Sequence, residues 1–529
     1  MKGSNCMIGR RIESDGHFGT VCFHGEVPPT KGVWLGIEWD DQERGKHNGT
    51  HEGRHYFNTK HPTSGSFLRE KKANFGVSLF EAVKERYGRI EDESAGIIEE
   101  EMFVKGEGNQ VTTVEVVGAQ SINLKQSKLN LLKEVSIRDM YVFGTRDTQD
   151  LSHLLTNIRE LDISKNLIPS WEEVAKIAAQ LHHLTSLNVS ENFLEVCQNP
   201  ENLQSSFTSL RHLYINRMNY TWEQVLRCVP MFPRLSSLHA CFNAITTITI
   251  PPPEYFTDLE MLNLEGNKLY SWDDVLNFGH LKKLNSLIVS DTGISCLKFP
   301  GRYSDKTDAF PGLQSLYINR NNITEWSNIN ELNRLQKLEE IKIQFNPLMS
   351  TFNPETVYEL FVAKIENLKV FNRSTVTYGD RKGAEIDYLK MYGKIWLHSG
   401  GNQDPSKCKP TEEFNQEHPR YAALVSAYGP PEDSELVVKE RNLKSTLIPV
   451  FIDSPNVPDR KPISKKLPAT MTVQKLRALV QRLYKIHSSD ITLTYSSQEV
   501  PGIEIDIDND QRQLSFFSIE EGDTINVKW

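Results

Sequence analysis

From about residue 132 the apolar positions of the chain fall into one recurring frame, L-x-x-L-x-L-x-x-N. Its copies start at Leu132, Ile158, Leu184, Leu210, Leu235, Leu259, Leu284, Leu313 and Leu338, at intervals of 26, 26, 26, 25, 24, 25, 29 and 25 residues. Alternation around the central apolar pair predicts a short strand whose leucines share one face. One such unit cannot bury that face by itself, so stacked neighbours must build the core. The ninth position is expected to ladder with the backbone of adjacent turns through Asn166, Asn192, Asn243, Asn267, Asn321 and Asn346. Met140, Met218 and Thr292 stand there in the other three copies, where local irregularity is expected. A second rhythm places Trp171, Trp222, Trp272 and Trp326 12 or 13 residues after the starts of alternate copies. Ser170 with Glu173 and Thr221 with Gln224 fit a capping box, and Ser271 with Asp274 nearly does, so helices are expected to begin there with the tryptophans as packing residues. The intervening copies carry Pro251–Pro253 and the loop 299–312, which predict extended, irregular connections.

The frame and its period resemble leucine-rich repeats, which implies an α/β solenoid over 126–370 with a terminal cap. Residues 371–442, of mixed composition, read as a linker. Beyond them, 443–529 offers a strand-like LIPVFID and a helix at about 472–485 with Val473, Leu476, Val480 and Leu483 on one face. Thr470 or Thr472 would cap that helix, and strands return in ITLTY and TINVKW. This order resembles a ubiquitin-like β-grasp domain. The sequence ends on Trp529 rather than Gly-Gly, so an interaction module is expected rather than a conjugated one. At the other end, short apolar runs broken by turn residues predict a small β-barrel over 1–80, followed by an acidic linker and the start of the repeat region over 81–125. The chain is thus expected to be multi-domain.

Composition narrows the partners. The 529 residues carry a formal charge of −9, which argues against a nucleic-acid partner, and no apolar run reaches the ~18–20 residues of a membrane span. No apolar stretch follows the first charges, so no secretory signal is expected and a cytoplasmic location is. Seven scattered cysteines without a CxxC pair exclude a disulfide framework and a zinc ribbon. Residues 1–75 depart from the average, with eleven Lys and Arg against nine Asp and Glu.

The sharpest chemistry lies in that module, at Gly45-Lys46-His47-Asn48-Gly49. Alone it would read as a hairpin tip. Together with Gly19-Thr20-Val21, Trp34-Leu35-Gly36-Ile37-Glu38, Tyr56-Phe57 and Gly65-Ser66-Phe67 it resembles a CAP-Gly domain. The resemblance implies an SH3-like barrel, association with the cytoskeleton, and a groove for the C-terminal Glu-Glu-Tyr/Phe of α-tubulin and related tails. The residue chemistry is compatible. Glycines permit close approach and positive φ, Lys46 can meet a carboxylate, Asn48 donates and accepts, and Trp34 and Phe67 could wall a slot for a ring. The pattern departs at His47-Asn48, where Asn-Asp is usual, and at Trp39, where an aliphatic residue is commoner, so altered peptide preference is expected.

Enzyme motifs are missing: there is no phosphate-binding G-x-x-x-x-G-K-[ST], G-x-S-x-G or H-E-x-x-H. His182-His183 read as repeat-edge residues, and Asp273-Asp274 suit a helix start. No catalytic residue, metal or cofactor is assigned.

The module order resembles that of the tubulin-folding cofactors along essentially the whole chain. This implies capture of α-tubulin on the way to the α/β heterodimer, action with cofactors B, C and D, and heterodimer dissociation with cofactor B. Strand residues between the leucines face the concave side, giving Tyr214, His239, Asn263, Tyr317 and Lys342 as solenoid contacts. Two other readings stay open: a microtubule-associated adaptor binding acidic-aromatic C-termini, and a ubiquitin-pathway adaptor docking on the proteasome.

Overall fold

The computed structural model describes residues 7–87, 103–105, 111–113, 129–146, 151–153, 155–432, 447–457, 460–486, 491–496, 504–507, 510, 512–517, 519 and 521–529. They form two compact units, divided between Pro431 and Glu432.

The first unit opens with an antiparallel sheet in which Arg11–Ser14, His17–Glu26, Val33–Trp39 and Gly65–Leu68 pair in that order. Strand alternation sends Leu35, Ile37 and Trp39 inward onto Ile12 and Val21 as a small core. Trp39, the residue at odds with the usual pattern, is a buried core ring with Arg44 stacked 5.0 Å from its centroid. Between the last two strands lies the short hairpin Thr50–His51/Arg54–His55.

A helix, Leu79–Tyr87, follows directly and corrects the linker expected from residue 81. Its Leu79, Ala82 and Val83, spaced i, i+3 and i+4, are fully buried in the solenoid core, while its charges face outward and disguise it as a solvated run. Just before it, Val77–Ser78 pairs in parallel with Val142–Gly144 of the first turn. Glu99–Glu101 lie outside the described residues; Phe103–Lys105 and Val111–Thr113 form a two-stranded antiparallel ladder.

The solenoid strands have the register of the sequence frame. Glu134, Glu160, Ser186, His212, Ser237, Met261, Ser286, Ser315 and Glu340 are successive parallel partners, and Val370 continues the row. The Asn ladder supplies the geometry between turns. Asn166 Oδ1 accepts from the Met140 and Val142 amides, while its Nδ2 donates to the Ile137 and Ile163 carbonyls. Each turn bends through a left-handed residue just before the ninth position: Asp139, Lys165, Glu191, Arg217, Phe242, Gly266, Asp291, Arg320 and Phe345. Where Asn is replaced, a second left-handed residue follows at Tyr141, Asn219 and Gly293. That is the irregularity expected. Without its own amide bonds the turn takes an extra reversal, and the next Asn still clamps it.

Trp171, Trp222 and Trp272 each begin a convex-side helix and are buried, whereas Trp326 sits just before Ser327–Leu332. The capping box forms at Thr221/Gln224, and Ser271 caps through the Asp273 amide. It does not form at Ser170, whose side chain makes no cap bond. Glu173 is engaged elsewhere, accepting from the Thr145 amide and hydroxyl of the preceding turn.

The stretch 371–442, expected to be a linker, contains three helices: Tyr378–His398, Glu412–Glu417 and Tyr421–Tyr428. They close the end of the solenoid around Tyr388, Leu389, Trp396, Phe414, Tyr421 and Leu424, packed on Leu360 and Ala363. Rings share this core equally with aliphatic residues, and Gly383 and Gly393 interrupt the helical pattern, which is why the sequence frame concealed it. Lys364 is fully enclosed there, donating to Asn330 Oδ1 and the Glu417 carbonyl, and burial pulls its pKa down to about 8.

The second unit is a β-grasp. Leu447–Asp453 pairs antiparallel with Ile463–Pro468 and parallel with Thr524–Lys528, which pairs with Thr492–Ser496. The helix Val473–Tyr484 packs Val473, Leu476 and Val480 into its core and is capped by Thr472, not Thr470, through the Lys475 amide.

Candidate peptide-binding site

The Gly45–Gly49 loop is bound to the sheet by its backbone. The amides of Lys46 and His47 donate to the Gly65 carbonyl, and the Gly65 amide returns a 2.8 Å bond to the His47 carbonyl. This closeness dictates the glycines. A Cβ on Gly45 would lie 2.5 Å from the Gly65 nitrogen, and one on Gly49, at φ +89°, would collide with the Phe57 carbonyl oxygen. His47 replaces an Asn in the usual pattern yet performs an Asn-like turn bond: its Nδ1 accepts from the Gly49 amide, two residues on, at 3.0 Å. That bond needs a neutral ring, and burial, reinforced by nearby His51, lowers the His47 pKa.

Beside the loop, Phe67 is the hub of an aromatic cluster. Ring centroids lie 5.1 Å away at His47, 5.4 Å at Tyr56, 5.5 Å at Phe57, 5.9 Å at His51 and 6.2 Å at Phe23. Gly36 lies beneath, since a Cβ there would strike the Phe57 ring. Lys46 and Asn48 are exposed, and their side chains have no hydrogen-bond or ion-pair partner among the described residues. A partner-free cation and an open amide thus sit on a backbone-held loop whose His47 packs on the Phe67 cluster, an arrangement that suits a carboxylate-bearing segment with an aromatic side chain.

Trp34 is placed differently from its expected role. It shares a sheet face with Gly36, but Arg69 covers its ring at 3.7 Å and its Nε1 donates to Thr30 Oγ1. The rings that pack around Phe67 are instead Phe23, His51, Tyr56 and Phe57. Tyr56-Phe57 stood in the motif; Phe23 and His51 carried no signal beyond belonging to an aromatic-rich module.

The five solenoid candidates occupy one register row, with Asn188 before them and Ile288 among them. They pack on one another. Tyr214 and His239 stack at 4.3 Å, His239 Nδ1 lies 3.4 Å from Asn263 Nδ2, and Lys342 Nζ sits 3.8 Å over Tyr317 and 3.5 Å from Glu340. Burial, with His212 nearby, holds His239 at a pKa of about 4. Among the described residues, no group of three or more His, Cys, Asp or Glu is placed to hold a metal, and no helix is long and apolar enough to cross a membrane.

The CAP-Gly domain family matches residues 8–73. Over 99% of this chain and 98% of the relative, the sequence is 44% identical to a tubulin-specific chaperone E of Xenopus laevis. The human tubulin-specific chaperone E is 41% identical over the same shares. The solution structure of the C-terminal ubiquitin-like domain of the mouse tubulin-specific chaperone e is 42% identical, covering 16% of this chain and 87% of that one, with a TM-score of 0.15.

Proposed function

This chain belongs to the tubulin-specific chaperone E family, and on that premise we propose that it is a non-catalytic tubulin-folding cofactor whose CAP-Gly groove holds the acidic, aromatic-ended tail of α-tubulin. The observation that carries this reading is the pairing of partner-free Lys46 and Asn48 with the Phe67 cluster, on a loop that its own backbone bonds keep in place. Lys46 meets a glutamate or the terminal carboxylate, His47, Asn48 and the Gly45 and Gly49 backbone shape the loop, and Phe67 receives the terminal ring. Trp34 and Arg69 extend the same face.

The repeats contact the folded body of the same tubulin. A weak tail contact and a weak body contact on one scaffold raise each other's effective concentration, so the pair binds more tightly than either. Loading of the α/β heterodimer with cofactors C and D, its dissociation with cofactor B, and recruitment of a further factor through the ubiquitin-like domain complete the proposal, set in the cytoplasm. No step of this cycle asks the chain for covalent chemistry.

Size exclusion against polymer cosedimentation tests it. A folding cofactor stays in solution with tubulin dimer or monomer. Quantitative pelleting with microtubules would replace this reading with that of an adaptor.

A further inference from the structure

The concave row and the edge of the sheet differ in what they leave open. Concave side chains are half-buried against one another, and Lys342 among them has Glu340 as an ion-pair partner besides its ring contact. Just past the strand ends, the left-handed turn residues form their own ladder: the Arg217 amide donates to the Cys241 carbonyl, Phe242 to Glu265, Gly266 to Ser290, Asp291 to Asn319 and Arg320 to Gln344. Their side chains therefore line one edge at a spacing of ~4.8 Å per turn. In the first turns this edge is neutralised by the pairs Lys165–Asp139 and Arg138–Glu191, both at 2.6 Å.

Further along, the edge changes character. Phe242 and Phe345 of that ladder are 39 and 71% exposed, and Phe193 and Tyr270, which follow its Glu191 and Gly266 by two and four residues, are 43 and 62% exposed. Two of these rings pack against glycines of the next turn. Phe242 lies on Gly266 of the next turn, where any Cβ would collide with it, and Tyr270 lies on Gly293, where a Cβ would come within 2.6 Å of the ring. Arg217 stacks on Phe242 at 4.3 Å and Arg320 on Phe345 at 5.4 Å. Neither guanidinium has an ion-pair partner among the described residues, although Asp291 stands exposed between them. Exposed aromatic rings topped by unpaired arginines are the composition of binding hot spots.

The N-terminal module already sits on this edge. Phe18 stacks on Tyr141, Arg10 lies 5.3 Å over Phe143, and Arg11 lies 5.2 Å over Phe193. A cleft of about 240 Å³ remains between them, lined by Arg11, Phe18 and Asp40 on one side and Lys165, Phe193 and Arg217 on the other. The aromatic edge is thus continuous with the surface that carries the CAP-Gly module, and it runs on for roughly 30 Å at the sheet's spacing.

We infer that this strand-end edge, from Phe193 to Phe345, rather than the concave sheet, is the docking surface for the folded body of the captured protein. The partner surface it fits is an apolar strip flanked by carboxylates that meet Arg217 and Arg320. The inference deepens the reading that the repeats hold the tubulin body and rests on it.

The test uses the full chain, tubulin stripped of its C-terminal tails, and a synthetic acidic tail peptide ending in an aromatic residue. Phe242→Ala with Tyr270→Ala and Phe345→Ala removes exposed rings only. It is expected to weaken binding of tail-less tubulin at least tenfold and leave peptide binding unchanged. Arg217→Glu with Arg320→Glu is expected to do the same, whereas Tyr214→Ala with Tyr317→Ala should change tubulin binding less than twofold. Loss in the concave variant with full binding in the edge variant overturns the inference. Unchanged binding in all three variants removes the solenoid from body recognition altogether. Loss of peptide binding by the wild-type chain would instead sink the groove, leaving the tail-less arm to judge the edge.

Discussion

Two candidate surfaces of this chain are built in opposite ways. In the CAP-Gly groove the backbone bonds are closed and the side chains are open: loop and strand hold each other, while Lys46 and Asn48 point to solvent without partners. In the concave row of the solenoid the side chains have closed on each other, Tyr214 on His239 and Lys342 on Glu340. A residue already satisfied has less to gain from a ligand, because any new bond must replace an existing one. Position in a fold therefore nominates a site less well than the state of its polar groups.

The contrast can be broken most forcefully at Gly49. Gly49→Ala forces a side chain into the Phe57 carbonyl at positive φ, and is expected to destabilise the module by about 3 kcal/mol or more and abolish tail binding. Gly53→Ala, also at positive φ but facing open space, should cost only about 1 kcal/mol. Melting curves of the two variants, compared with wild type, check the difference. Equal losses would show that the close approach at Gly49 is not what fixes the loop.

Next in size is the solenoid ladder. Asn192 accepts from the Asn166 amide and donates to the Ile163 and Val189 carbonyls, all buried. Asn192→Ala is expected to cost about 2–4 kcal/mol by denaturant unfolding, since it strands several polar groups away from water. It should leave binding of a tail peptide untouched.

Much of this ladder was legible in the amino-acid sequence, because a repeated frame states its register many times over. Nine copies outvote any irregular one, so the strand partners agree with the aligned starts from Leu132 to Leu338. The helix at 79–87 and the helices of 378–428 were concealed for the opposite reason. Each occurs once, the first within a charged run and the others with Tyr, Trp and Phe as their core. In the groove, the glycine loop and Phe67 were readable from the motif. The displacement of Trp34 onto Arg69 was not, because nothing local to GVWLGIEWD reveals that a residue 35 positions later covers its ring. The substitution of the Asn bond by His47 Nδ1 likewise needed coordinates.

A smaller effect separates stability from binding. Lys46 is exposed and without partners, so Lys46→Ala should shift stability by no more than about 0.5 kcal/mol. It should still weaken an acidic tail peptide by about 1.5–3 kcal/mol, the worth of a hydrogen bond to a charged group. Titration calorimetry beside a thermal melt reads both.

Smaller again is a pH effect on the loop. The His47 pKa is held below its ordinary 6.5, so the folded loop favours the neutral ring. Its contribution is complete above about 6.5 and is lost as pH falls through the lowered value, when protonation removes the acceptor for the Gly49 amide. The Gly49 amide resonance should shift on acidification in the wild type, while His47→Asn, which restores a non-titrating acceptor, should abolish that shift. A His47→Asn variant that still shifts would place the titrating group elsewhere.

The central claim, that the CAP-Gly groove captures an acidic tail by its final ring, meets its most direct test in the affinity of the full chain for two forms of α-tubulin, intact and lacking only the last aromatic residue. Loss of one buried ring is expected to weaken binding at least tenfold. Equal affinity for the two forms would contradict tail capture at Lys46 and Phe67.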